Sequence, residues 1–319
     1  MTTIPSIFNE HKVSYTVLGG AEKSGRVTMP SVTCVVLSRN ARQYRTMILE
    51  NLLAKGFAKV VSVNSKTEKG PIEQLAHHFP TIDFLVALED VSQGELLNLA
   101  FAHATTEYVL VLQEEMCCEK ISLNPAIIDR MIEKKQFCIV PRLHNVDGGR
   151  IPVSFIPATN RSVFVIESDS SLSDNQKTLY SYDYAGFYDR ERFCLLGGID
   201  YTISSPYWQK IDFFFRSWLW GETTTVLNSF DLSYSGSVPE EDHTVELSYV
   251  RFYLKNLLPV FVSDHGRISK SSFIRFRMRS GCGLVESMRQ FNDAIRWTKE
   301  NQYRFKTDAV SLIEDWGKQ

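Results

Sequence analysis

Four short apolar runs, separated by stretches of helical periodicity, constrain this chain more than any other feature. VTCVVL (32–37), KVVSV (59–63), FLVAL (84–88) and YVLVL (108–112) are largely aliphatic and β-branched, the pattern of strands buried on both faces. Between them Tyr44, Ile48 and Leu52 recur four residues apart, with Asn40 as an N-cap and Gly56 as a stop. Ile72, Leu75, Ala76 and Phe79 mark a second helix between Pro71 and Pro80, and Leu96, Leu97, Ala100, Phe101 and Ala104 a third. Such βα repetition with short connections specifies a parallel, doubly wound α/β sheet. Ligands of such sheets bind outside the carboxyl ends of the strands. The residues there are Ser38-Arg39, Asn64-Ser65, Glu89-Asp90 and Gln113-Glu114-Glu115.

Beyond residue 120 the pattern loosens. Helices are expected over 125–135 and 206–220, near Tyr249 and Phe252, and around Leu284–Ile295 and Val310–Ile313; strands over 137–143, 161–166 and 223–227, with a polar loop at 172–177. Residues 1–30 read as an N-terminal arm, 31–258 as the main domain and 259–319 as a basic, mainly helical C-terminal extension. GGAEKSG (19–25) lacks the Gly-Lys-[Ser/Thr] adjacency of a P-loop, and no G-x-G-x-x-G follows Leu37, which counts against a dinucleotide or methyl-donor enzyme.

With 44% apolar residues and a formal charge of -2, the 319-residue chain has a core to bury and no basic excess that would point to nucleic acid. No basic segment followed by an apolar run opens it, and no apolar stretch is long enough for a bilayer. The cysteines (34, 117, 118, 138, 194, 282) show no C-x-x-C spacing and read as free thiols of a reducing, cytoplasmic compartment.

Two segments carry a family resemblance. The first runs VTCVVLSRN…KVVSVNS…SQGELLNLAFAHATTEYVLVLQEEM, the second AGFYDRERFCLLGGIDYTISSPYWQKIDFFFRSWLWG. Together they resemble family 2 glycosyltransferases of the GT-A fold over about residues 32–245. The resemblance implies a Rossmann-like mixed sheet and transfer of a sugar from a nucleotide-sugar donor, of the UDP type, to a glycan, lipid-linked or protein acceptor. By position, Ser38, Arg39 and Asn64 would hold the nucleotide, Gly94 and Asn98 match the family's glycine and asparagine, and Gln113-Glu114-Glu115 stands at Asp-x-Asp. Gly186, Arg190, Phe193, Gly197, Gly198, Asp200, Asp212, Arg216 and Gly221 fall on the acceptor-region marks.

The leaving diphosphate needs a divalent metal or cations, and an inverting transfer needs a base. Here Gln113 replaces the first Asp-x-Asp acid, leaving Glu115 to hold Mn²⁺ or Mg²⁺ weakly, with His243 as its partner in metal binding. Gln209 and Lys210 replace the Glu-Asp pair, so Lys210 would neutralise diphosphate while Asp200 and Asp212 line the same cleft as Glu115 and serve the acceptor. The altered acids leave a second expectation open: a GT-A-like nucleotide-binding scaffold without catalysis. Each residue also has a plain structural alternative. Glu115 would be a solvated loop acid, Asp212 an i,i+4 partner of Arg216, His243 a surface histidine, and Trp208, Trp218 and Trp220 core rather than sugar-stacking residues. Arg267, Lys270, Arg275, Arg277 and Arg279 lie in a stretch whose alternation from Phe273 onward reads as a charged edge strand, a phosphate-contacting surface or a peripheral membrane face.

Overall fold

The computed structural model describes residues 11–22, 26–39, 42–66, 69–117, 123–161, 163–169, 173–281 and 283–317. Asn40, Cys118, Cys282, Leu172 and residues 23–25 of the GGAEKSG fragment lie outside the described residues, as do the side chains of Pro71, Cys117 and Arg279.

The chain runs β1 (Tyr15–Gly19), β2 (Met29–Leu37), α1 (Arg42–Lys55), β3 (Phe57–Asn64), α2 (Lys69–His78), β4 (Asp83–Ala87), α3 (Gln93–His103) and β5 (Tyr108–Gln113). The four apolar runs become β2, β3, β4 and β5, which lie side by side in the order β4-β3-β2-β5, all parallel. β1 falls within the stretch read as an arm. It closes the outer edge antiparallel to β4, with Tyr15 opposite Ala87.

After β5 the strand directions mix. β6 (Met116–Cys117) and α4 (Pro125–Glu133) lead to β7 (Cys138–His144), β8 (Arg150–Ile151) and the hairpin of β9 (Ser154–Asn160) and β10 (Val163–Asp169). β11 (Gly186–Asp189) inserts between β5 and β7, antiparallel to both. α5 (Arg190–Leu195) and α6 (Pro206–Leu219) follow, and β12 (Thr224–Tyr234) then runs parallel to β7. The ten-stranded sheet has the order β1-β4-β3-β2-β5-β11-β7-β12-β6, with β8 on β7. It is the mixed α/β sheet that the sequence leads one to expect.

α6 positions the site. Ser205 caps it and Pro206 opens its first turn, where a missing N–H costs nothing. Every residue from Tyr207 to Leu219 is buried, including Gln209, Lys210, Asp212, Arg216 and Ser217. A helix buried all round is normally apolar, so each of these polar side chains needs an internal partner. α3, held by a capping box between Ser92 and Glu95, packs closely on α6. At Gly94 a Cβ would come within 2.4 Å of both Gln209 Oε1 and Ile199 Cγ2. Gly94→Ala is therefore expected to cost about 1–3 kcal/mol, read as a lower urea midpoint; an unchanged midpoint would show that the two helices part freely.

α7 (Leu247–Phe252) continues into a π-helical turn (Tyr253–Leu257). The hairpin of β13 (Val260–Val262) and β14 (His265–Arg267) precedes α8 (Ser272–Arg279), α9 (Leu284–Glu300) and α10 (Ala309–Asp315). These last elements fold back on α6: Trp316 meets Trp218 at 4.6 Å and Trp297 stacks with Trp220 at 6.1 Å. Trp208 and Trp218 are buried, with indole N–H groups donating to the Thr244 and Leu179 carbonyls at 2.8 and 3.2 Å, so both are core residues. α8 corrects the edge-strand expectation for residues 273–279. Phe273 and Phe276, three apart, both turn onto Phe291 of α9, and that helical spacing outweighs a short period-two alternation. Cys138 is a buried free thiol and Cys194 a half-buried one, and Cys34 is buried as well.

Candidate active site at the strand ends

Behind the parallel strand ends a polar network fastens the loops. Glu114 is fully buried and accepts from the Arg39 backbone N–H at 2.7 Å, from Ser38 Oγ at 3.0 Å and from Arg45 Nε at 2.8 Å. Ser38 and Glu114 are thus occupied with each other and with α1. Asn64 also turns inward: its amide donates to the Ser62 and Leu85 carbonyls at 3.1 and 3.3 Å, and it is fully buried. Asn98 makes a reciprocal pair with the Ile199 backbone, both bonds 2.8 Å, which ties α3 to the Gly197-Gly198 turn. Both glycines there have φ near the left-handed region, at 86° and 67°, where a side chain is disfavoured.

Gln113 shows what an amide does where the family pattern has an acid. Its Nε2 donates to the Asp183 carbonyl at 2.7 Å, and its Oε1 accepts from Gln93 Nε2 at 3.3 Å. A carboxylate has no N–H for the first bond. The bond steadies a strained segment, since Asp183 and Tyr184 have φ of 57° and 58° in succession. The Asp183 carboxylate pairs with Arg39 and accepts from Tyr234 Oη at 2.7 Å. Arg39 also donates to Gln93 Oε1 at 3.2 Å.

In front of this network lies a cavity of about 170 Å³, lined by Arg39, Gln93, Tyr182, Tyr184, Lys210 and Glu241 among others. Lys210 is ion-paired with Glu241, and its Nζ lies over the rings of Tyr180 at 4.8 Å and Tyr182 at 5.5 Å. Burial pushes the Lys210 ammonium below the ordinary lysine value and Arg39 adds to this, while Glu241 pulls it back. Glu241 also accepts from Tyr180 Oη at 2.8 Å. His243 is 63% exposed, stacked on Tyr207 at 4.2 Å, with Nε2 3.8 Å from Glu241.

Asp200 and Asp212 come together elsewhere. Lys255 Nζ donates to both, at 2.8 Å each, and all three side chains are 0% exposed. Asp212 further accepts from Asn256 at 2.7 Å and from Arg216 at 3.1 Å; Asp200 accepts from the Thr202 backbone at 2.9 Å. Neither acid lines the cavity, nor does Glu115. For Asp212 the reason is geometric. Two residues apart on a helix, Lys210 and Asp212 point about 200° apart, so Lys210 facing the cavity turns Asp212 into the core.

Glu115 is half-buried, and its Oε2 has no hydrogen-bond partner. Burial raises its carboxyl above the usual range, with Glu114 adding to this against Arg39 and Arg45. An orphaned carboxylate oxygen fits one ligand position for a hard cation. Among the described residues no group of three or more His, Cys, Asp or Glu side chains is placed to hold a metal.

The arrangement of these elements matches a solved structure. The chain superposes on a crystal structure of GalNAc-T7 with UDP, GalNAc and Mn²⁺ at a TM-score of 0.60, over 92% of this chain, with 11% identity. The fold is GT-A-like, that of a glycosyltransferase. The chain spans 57% of that GalNAc-T7 chain. S. aureus TarS is also similar, at 15% identity over 70% of this chain and 38% of TarS, TM-score 0.49. Its fragment 1–349 gives 13% identity, 90% and 91% coverage, and a TM-score of 0.45. No family model and no curated protein matches the sequence.

Within this GT-A-like frame, Arg39 and Lys210 line the cavity, whereas Ser38, Asn64, Asn98, Gln113 and Glu114 are internal fasteners. Sequence reading missed Asp183, Glu241 and Lys255. For Lys255 a signal existed: a lysine inside the apolar run YLKNLL asks for a buried counter-ion. For Asp183 and Glu241 there was none: Asp183 sits in a single 3-10 turn (Tyr182–Tyr184) and Glu241 in a loop, and neither has a periodic pattern.

Proposed function

We propose that the chain is a cytoplasmic glycosyltransferase whose donor is a nucleotide sugar of the UDP type. The observation that carries this reading is the pair of cations, Arg39 and Lys210, lining a cavity at the strand ends of a GT-A-like sheet. There the donor's diphosphate would meet both charges. In the transfer, the bond between the sugar's anomeric carbon and the phosphate oxygen breaks, its electron pair leaving with the diphosphate. The acceptor hydroxyl oxygen forms the new bond and gives up its proton. Lys210 and Arg39 stabilise the developing charge, as preorganised cations do in a dry site. Glu241, the carboxylate beside Lys210 on the cavity wall, takes the proton in place of the enclosed Asp212. A divalent metal, when bound, supplies further neutralisation of the diphosphate, and Glu115 is the residue that would hold it.

A thermal-shift panel of UDP, GDP, CDP and dTDP and their sugars, with and without Mn²⁺, tests this. UDP compounds are expected to stabilise the protein by about 2.7 kcal/mol at a hundredfold their Kd. Mn²⁺ is expected to add modestly, and Glu115→Ala to remove that addition. Binding without any donor hydrolysis or transfer would assign the chain to the non-catalytic scaffold instead.

A further inference from the structure

Between Asp264 and Glu286 the sequence holds five cations, Arg267, Lys270, Arg275, Arg277 and Arg279, and no acid. Among the described residues, Arg267, Lys270, Arg275 and Arg277 make no ion pair. The same stretch exposes large apolar side chains. Phe273 and Phe276 anchor α8 against Phe291. Ile274 and Met278, four apart and so on one helix face, are 70% and 82% exposed. The first turn of α9, packed against α8, continues the patch with exposed Leu284, Val285 and Met288.

A face that joins unpaired cations to exposed aliphatic residues suits an anionic bilayer. The headgroups accept the charge, and the boundary with the acyl chains accepts the apolar side chains. A nucleic acid would satisfy the arginines and leave Ile274, Met278 and Val285 in water. Among the described residues no helix is long and apolar enough to cross a membrane, so such contact lies in the interface plane. We propose that α8 and the start of α9 form a docking surface for anionic lipid membranes. This rests on the patch alone and stands or falls apart from the sugar-transfer reading.

Co-sedimentation of the full chain with vesicles tests it. The protein is expected to pellet with phosphatidylcholine vesicles containing about a third phosphatidylglycerol, to stay in solution with phosphatidylcholine alone, and to be released by high salt. The double variant Arg275→Glu/Arg277→Glu is expected to lower partitioning more than about tenfold, given roughly fivefold per basic residue. Ile274→Ser/Met278→Ser, which keeps every charge, is expected to lower it as well, with both variants checked for folding by circular dichroism. Should the charge variant not fold, the serine variant decides alone. Equal binding to neutral and anionic vesicles, no binding to either, a folded variant that binds like the parent, or duplex RNA bound through these arginines in place of vesicles would each overturn the proposal.

Discussion

Lys255→Met is expected to lower the stability of the chain by about 3–5 kcal/mol, the cost of leaving buried charges without their partner. Lys255 is the shared counter-ion of Asp200 and Asp212, and none of the three side chains reaches solvent. Arg216 still pairs with Asp212 and Asn256 hydrogen-bonds it, but Asp200, held otherwise by Thr202, loses the ammonium that sits on it. Acid changes the size of the effect in a defined direction. Burial tends to raise the Asp200 carboxyl, but Lys255, with Arg251 and Thr202, holds it below its ordinary 3.8. A depressed carboxyl contributes stability that is full above the unfolded value and is lost as pH falls through the folded one. The parent should therefore lose this contribution below about pH 4. In Lys255→Met burial acts on Asp200 with less opposition, so its carboxyl rises and protonation relieves the strain. The gap between the two proteins should narrow from neutral pH to about pH 4. Guanidinium unfolding at both pH values measures it. A loss under about 1 kcal/mol at neutral pH would show that the network is dispensable.

Lys210→Met is expected to weaken UDP binding about 30-fold or more, since truncating a desolvated charge partner costs about 2–5 kcal/mol. Glu241→Gln should act the other way. Glu241 neutralises Lys210 in the free protein, and its amide would leave the ammonium to the diphosphate, so UDP affinity rises. If Glu241 also takes the acceptor proton, the same variant lowers kcat while KM for the donor falls. A merely structural ion pair would give weaker binding in both variants. Calorimetry for affinity and initial rates for turnover separate the cases.

The parallel half of the sheet was legible because each buried strand is a continuous apolar run and each crossover helix has its own apolar stripe, as in β2 and α3. α6 was legible from Pro206 to its end for the same reason. The placement of polar groups was less so. A family pattern indicates which positions matter but not which way a side chain turns when its neighbours have changed. Once Lys210 stands at the cavity, helical geometry sends Asp212 inward to Lys255. Asn64 folds back on Ser62 and Leu85 because nothing in a one-dimensional pattern records that those carbonyls lie within reach. The left-handed turn at Asp183 and Tyr184 depends on contacts from Gln113, Arg39 and Tyr234, each distant in sequence.

The most direct test of the central claim is a crystal structure of the full chain grown with UDP and Mn²⁺. The diphosphate is expected in the cavity lined by Arg39, Tyr182 and Lys210, with both cations in contact with its oxygens. Well-ordered nucleotide elsewhere on the protein, with Lys210 still closed on Glu241, would contradict it.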